Sequence, residues 1–231
     1  MERNTSDIIF VDKPKGITSF DVIRRLRRTL GIRKMGHAGT LDPNATGLMI
    51  IGVGKGTRRM QEYLGLPKTY VMDILLGIRT DTGDITGRVL QHTGVEPLQR
   101  LQGLHPCIVE DALAGMVGTI SLPIPAYSAL KYKGKPRYVY ARAGIAIEQK
   151  IRDMSIYSLK LLYYGGLASI VDPVLKIEMD CASGTYARSV AEEIGRRLGL
   201  PATLQDLRRT RIGPFSVSDA QQLASIEKTS A

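Results

Sequence analysis

The sequence predicts an α+β fold: a mixed, mainly antiparallel central sheet flanked by helices. Three observations point there. Runs that read as strands outnumber those that read as helices. Their order is not the regular strand–helix–strand alternation of a parallel sheet. The chain has 231 residues, 43% hydrophobic and 23% charged, enough to bury a sizeable core.

The elements follow in order. Ile8 to Val11 is a short apolar run, the pattern of a buried strand, and KPKG after it is a turn. Ser19 is placed to cap a helix whose apolar face is Val22, Ile23, Leu26 and Leu30. Arg24, Arg25, Arg27 and Arg28 occupy its other face, and Gly31 stops it. Leu48 to Gly54 predicts a second buried strand, and KGTRRMQEYL a short helix. In Lys68 to Gly77, alternation puts Tyr70, Met72, Ile74 and Leu76 on one face of a strand. DTGDITG is a turn into a strand RVLQHT, and Pro97 to Gly118 contains helical pieces around VEDALAGM. MSIYSLKLLYY and VLKIEMDCA are two further strands. Thr185 to Gly199 is a strong helix, with Val190, Ile194 and Leu198 at i, i+4 and i+8 and Gly199 and Pro201 at its end.

Composition narrows the function. A formal net charge of +10 favours a polyanionic partner, nucleic acid first and an anionic membrane second. Two cysteines, Cys107 and Cys181, lie far apart without a CxxC, as expected for reduced thiols. Three histidines and no close ligand spacing predict no metal site. No apolar run approaches the roughly 20 residues that span a bilayer, and the N-terminus is charged where a signal peptide is apolar, so a cytoplasmic location is expected.

One stretch is distinctive by charge. From Ala112 to Ile147 there is no Asp or Glu. Within it Tyr127, Tyr132, Tyr138 and Tyr140 interleave with Lys131, Lys133, Lys135, Arg137 and Arg142. Cations for phosphates and rings for unstacked bases make this a candidate RNA surface, an insertion over residues 119–147.

Several motifs fail. GVGKGT is no P-loop, because Met49 stands where the first glycine belongs and Gly56 follows Lys55. It is no dinucleotide fingerprint either, since Thr57 replaces the third glycine. DTGD lacks the glutamate of a calcium loop, and no GxSxG elbow exists.

GHAGTLDPNATG, residues 36–47, is different. Pro43 fixes its own backbone and biases Asp42 toward an extended conformation. Gly39 and Gly47 permit positive φ or close approach of backbone. A carboxylate so held beside a buried strand is a candidate nucleophile or general base, with His37 placed to contact a substrate. An aspartate that merely caps a turn is the plainer alternative.

This loop, extended to GHAGTLDPNATGLMIIGVGKGTR, resembles the signature of the TruB family of tRNA pseudouridine synthases. Four other segments resemble family motifs in the same order: IIFVDKPKGITSFDVIRRLRR, KTYVMDILLGIRTDTGDITG, IPAYSALKYKGKPRYVYARAGI, and CASGTYARSVAEEIGRRLG followed by LRRTRIGPFSV. The resemblance implies the pseudouridine synthase fold over residues 1–222. It implies that Asp42 is the catalytic residue, that His37 assists base extrusion, and that Tyr70 stacks on the flipped uracil. It further implies that Tyr186 and Arg188 line the pocket, the arginine pairing with the carboxylate, and that Leu207 packs there. Lys13 lies in a matched motif and joins Lys131, Lys133, Lys135 and Arg137 as an RNA-contact candidate. The expected activity converts uridine 55 in the T-loop of tRNA to pseudouridine. Attack at C1′, attack on the base and elimination through a glycal all need Asp42 ionised. No cofactor, metal or protein partner is expected, the partner being the T-arm and elbow of tRNA, and a monomer is implied.

Departures are visible. Asn44 stands where the family commonly has leucine, and Glu193 where aspartate is frequent. The family's usual further RNA-binding domain, of PUA type, is not expected after residue 222, and residues 223–231 are expected as a short tail. A guide-RNA-dependent synthase of the Cbf5/dyskerin type and a non-catalytic tRNA-folding chaperone are the alternatives.

Overall fold

The computed structural model describes residues 7–94, 106–163 and 173–229. They fall into two compact units, Met1–Val71 with Leu207–Ala231, and Met72–Asp206. The sequence predicts one domain over residues 1–222. The division lies inside two strands, β4 (Lys68–Leu76) and β12 (Ala202–Ile212).

The first unit is built on β1 (Ile8–Lys13), which runs antiparallel to β3 (Thr46–Val53). β3 also pairs antiparallel with β2 (Met35–His37) and parallel with the end of β12. β13 (Phe215–Ser216) lies antiparallel on β12, and β14 (Gln221–Gln222) parallel on β1. The sheet is thus mixed. Its core gathers Ala38, Leu48, Ile50, Tyr63 and Ile212, with the rings of Phe10 and Phe215 tilted against each other at 5.0 Å between centroids.

Helix α1 (Ser19–Leu30) buries Val22, Ile23 and Leu26 as the periodicity predicts. Its cap is Thr18 rather than Ser19: Thr18 accepts from the Asp21 amide and the Asp21 carboxylate returns to the Thr18 amide. Ser19 is buried and bonded elsewhere. Gly31 ends the helix at φ 69°, as expected. A 3₁₀ turn over Gly54–Arg59 leads into α2 (Met60–Gly65), the predicted short helix in two pieces. Residues 223–229, expected as a tail, form α6 (Leu223–Thr229), which packs on α1 and buries Leu223 and Ile226.

The second unit holds a sheet in the order β4–β11–β10–β7, from β7 (Gly118–Pro123), β10 (Ile151–Tyr163) and β11 (Val174–Cys181). The β7–β10 and β10–β11 pairs are antiparallel. Met72, Ile74 and Leu76 of β4 are buried, as alternation requires. β5 (Ile78–Thr80) and β6 (Val89–His92) form a ribbon around the predicted DTGDITG turn. Helices α3 (Pro106–Ala114) and α5 (Ala187–Arg197) pack against β10 and β7. Val190 and Ile194 of α5 are fully buried. Positions 97–105 of the predicted helical stretch, and Tyr164, lie outside the described residues.

The basic insertion folds on itself. β8 (Lys131–Tyr132) and β9 (Lys135–Pro136) pair across Lys133 and Gly134, both at positive φ (45° and 84°), the geometry of a two-residue hairpin turn. The short helix α4 (Arg137–Arg142) follows.

Candidate active site

The loop between β2 and β3 is tied to the first unit from both sides. Before Asp42, the buried Ser19 hydroxyl accepts from the Leu41 amide at 2.8 Å and donates to the Leu41 carbonyl at 3.0 Å. After it, the Pro43 carbonyl accepts from the Gly16 amide at 2.9 Å and from Lys13 Nζ at 3.2 Å. Asp42 closes its own turn, its carbonyl accepting from the Ala45 amide at 3.0 Å. The loop therefore has hydrogen-bonded backbone on either side of the carboxylate, and Asp42 itself is half-buried.

Lys13, expected to touch RNA, does not reach the surface. It is fully buried, and its ammonium donates to the carbonyls of Pro14, Pro43 and Ala45. Burial pulls its pKa down to about 8, against the attraction of Asp42, so it stays mostly protonated at neutral pH. It is a brace for the loop. The phase of β1 contained the signal: Lys13 lies two residues from the buried Val11, on the same face.

Arg209, which the sequence did not single out, is the other brace. It is buried, and its Nε donates to the Leu48 carbonyl at 2.8 Å and its Nη2 to the Gly39 carbonyl at 3.2 Å. Its neighbour Arg208 points the opposite way and holds Asp12 with two bonds, at 2.7 and 3.1 Å. Adjacent arginines on a strand must face opposite sides, so one of the pair had to turn inward.

His37 ends β2, paired with Ile51. Burial first, and the Arg209 charge second, hold its pKa below the ordinary imidazole value, so the ring is neutral at neutral pH. Its Nδ1 is buried without a hydrogen-bond partner among the described residues. A neutral ring suits a hydrogen bond to a base or sugar better than an ion pair. Tyr70, half-buried on β4, and Leu207, buried on β12, belong to the same unit.

Tyr186 and Arg188 belong to the second unit. Tyr186 is the N-cap residue of α5, its amide on Met154 Sδ at 3.4 Å. Arg188 is 6% exposed and donates to the Thr82 carbonyl at 2.9 Å and the Tyr127 carbonyl at 3.0 Å. It lines a cleft of about 320 Å³ together with Thr82, Ile124, Pro125 and Glu192. Burial raises the Glu192 pKa, which Arg79 and Arg188 oppose.

Of the insertion's cations, Lys131, Lys133 and Lys135 are exposed. Lys133 lies 5.5 Å from the Tyr132 ring centre, and Tyr132 meets Tyr140 edge to face at 5.5 Å. Arg137 corrects the expectation. It is 2% exposed, with its guanidinium turned in to the Glu148 carbonyl at 2.8 Å, out of reach of a phosphate. No group of metal-binding side chains occurs among the described residues.

Residues 27–187 match a family model described as TruB family pseudouridylate synthase (N terminal domain). Residues 188–231 match one described as tRNA pseudouridylate synthase B C-terminal domain. Among similar curated proteins, the tRNA pseudouridine synthase B of Desulfotalea psychrophila is 42% identical over 94% of this chain and 85% of its own. That of Bordetella pertussis is 39% identical over 95% and 86%. Among solved structures, a chain from a Cbf5-Nop10-Gar1 complex is similar in fold, with a TM-score of 0.69 at 24% identity, over 96% of this chain and 53% of that one.

Proposed function

Because the chain belongs to the TruB family of pseudouridylate synthases and carries that family's isomerase activity, we propose that its substrate is tRNA and its target uridine 55 of the T-loop. The observation that carries the reading is the loop around Asp42, braced by Ser19, Lys13 and Arg209. A stacked base must leave its helix or loop before such a carboxylate can meet it, at a cost of a few kcal/mol. His37, at the end of β2 and neutral at neutral pH, takes the substrate-contacting role that the family resemblance implies. Tyr70 supplies the ring on which the flipped uracil stacks, and Leu207 an apolar wall. Tyr186 and Arg188, in the second unit, are substrate-binding candidates by resemblance to the family's motif.

The reaction is an isomerisation. The bond from uracil N1 to C1′ breaks, the base turns, and C5 bonds to C1′. The proton on C5 leaves and N1 gains one, so no atom and no electron is gained or lost. Asp42 serves as the ionised carboxylate, and the nearby Lys13 ammonium favours that form. The protein acts as a cytoplasmic monomer, without a protein partner.

The test supplies the purified protein with a T-arm stem-loop RNA tritiated at uracil C5, and no guide RNA. Tritium release is expected, and none when the target uridine is moved one position along the loop. Release from unrelated RNA but not from the T-arm would sink the substrate assignment.

The exposed lysines of the insertion give a second expected result. With Lys131, Lys133 and Lys135 changed to alanine, tRNA affinity falls while kcat stays within about twofold. The slope of log affinity against log salt shrinks by about 0.7 to 0.9 for each phosphate left without its lysine. Filter binding across a salt series measures it, and an unchanged slope would remove these lysines from the interface.

A further inference from the structure

Ser19 is the first residue of α1, a place where a serine ordinarily needs no tertiary partner. Here Thr18 performs the capping, which leaves the Ser19 hydroxyl free for another task. It is 2% exposed and reaches 22 positions along the chain to Leu41, itself 3% exposed. One oxygen satisfies both backbone groups of that residue, accepting from its amide and donating to its carbonyl. Leu41 is the residue before Asp42, so the dihedral angles that aim the carboxylate begin from a backbone unit fixed to α1. The helix is in turn anchored by Val22, Ile23 and Leu26 in the core. On the exit side Gly16 and Lys13 fix Pro43. The entry side rests on a side-chain hydroxyl that one substitution removes.

We infer that Ser19 is a positioning residue for catalysis: through its paired hydrogen bonds to Leu41 it sets the direction of the Asp42 carboxylate. This rests on Asp42 being the catalytic group. Without the hydroxyl, the Leu41 amide and carbonyl are buried and unpaired, and the backbone shifts to find partners. A shift approaching 1 Å at a reacting group lowers turnover by about two orders of magnitude.

Four variants test the inference, assayed at a temperature where thermal melting shows each of them folded. Ser19→Ala and Ser19→Val remove the hydroxyl, Ser19→Thr keeps it at the volume of valine, and Thr18→Ala weakens the same helix without touching Leu41. Expected for Ser19→Ala and Ser19→Val is a kcat lower by about 10- to 100-fold, with KM and tRNA affinity within about twofold. Ser19→Thr recovers most of kcat relative to Ser19→Val, and Thr18→Ala keeps wild-type kcat despite a lower melting temperature. A wild-type kcat in both hydroxyl-free variants overturns the inference, as does an equal fall in Thr18→Ala, which reduces Ser19 to a stability residue. Asp42→Asn runs beside them. If it keeps turnover, the assignment of Asp42 fails; if it is inactive while the Ser19 variants are normal, only the role of Ser19 fails.

Discussion

Asp42→Asn is expected to give a folded, RNA-binding protein whose turnover has fallen by roughly 10⁴-fold or more, the scale seen when a group central to the chemistry is removed. Asparagine keeps the shape of aspartate and loses only its ability to ionise. The turn closed by the Asp42 carbonyl and the Ala45 amide involves backbone alone and survives the change. So do the bonds of Ser19 to Leu41 and of Lys13 to Pro43 and Ala45. Stability is expected to move by no more than about 1 kcal/mol. Single-turnover tritium release gives the rate, and filter binding shows that affinity is retained. A variant within tenfold of the wild-type rate would mean that another group does the chemistry.

The second large effect is on stability. In β3, Gly47 has φ 107°, a conformation that residues with a side chain rarely adopt. It also lies directly beside Arg209 in the parallel pairing of β3 with β12. A Cβ there would sit 2.8 Å from the Arg209 nitrogen and 2.9 Å from its carbonyl carbon, and nearer still to the oxygen. That is backbone, which cannot swing aside as a side-chain tip would. Gly47→Ala must therefore part the two strands or refold the end of the loop. A loss of about 4 kcal/mol or more is expected, a large fraction of the whole stability of a typical domain. Gly31→Ala is the control: its φ is 69° but no atom lies within 4 Å of the added carbon, so it costs about 1 kcal/mol. Urea unfolding of both measures the difference. Equal losses would show that backbone strain alone, and not the approach of Arg209, explains the glycine.

What is legible in the sequence is local. The apolar face of α1, the alternation of β4 and the Val190–Ile194 stripe of α5 all follow from periods of 3.6 and 2 within one segment. The loop of Asp42 is legible because its glycines and proline declare special backbone. The charged residues mislead for a common reason. Lys13 and Arg137 look like surface cations until the carbonyls that receive them are known, and those of Pro43, Ala45 and Glu148 lie 30, 32 and 11 positions away. Arg209 escapes notice on the same ground, since its acceptors Leu48 and Gly39 are 161 and 170 positions distant. Ser19 reads as a cap because its sequence position allows one, and only the structure shows that Thr18 has taken that place.

The discontinuity of the first unit has a temporal side. A ribosome makes residues 36–47 early, yet Arg209 emerges only after the whole second unit, Met72–Asp206, has been translated. Domains generally fold as units during synthesis. The middle of the chain is thus able to fold while the loop of Asp42 still waits for its last brace. A nascent chain stalled just after Asp206 would hold Asp42 in a loop that Arg209 does not yet brace.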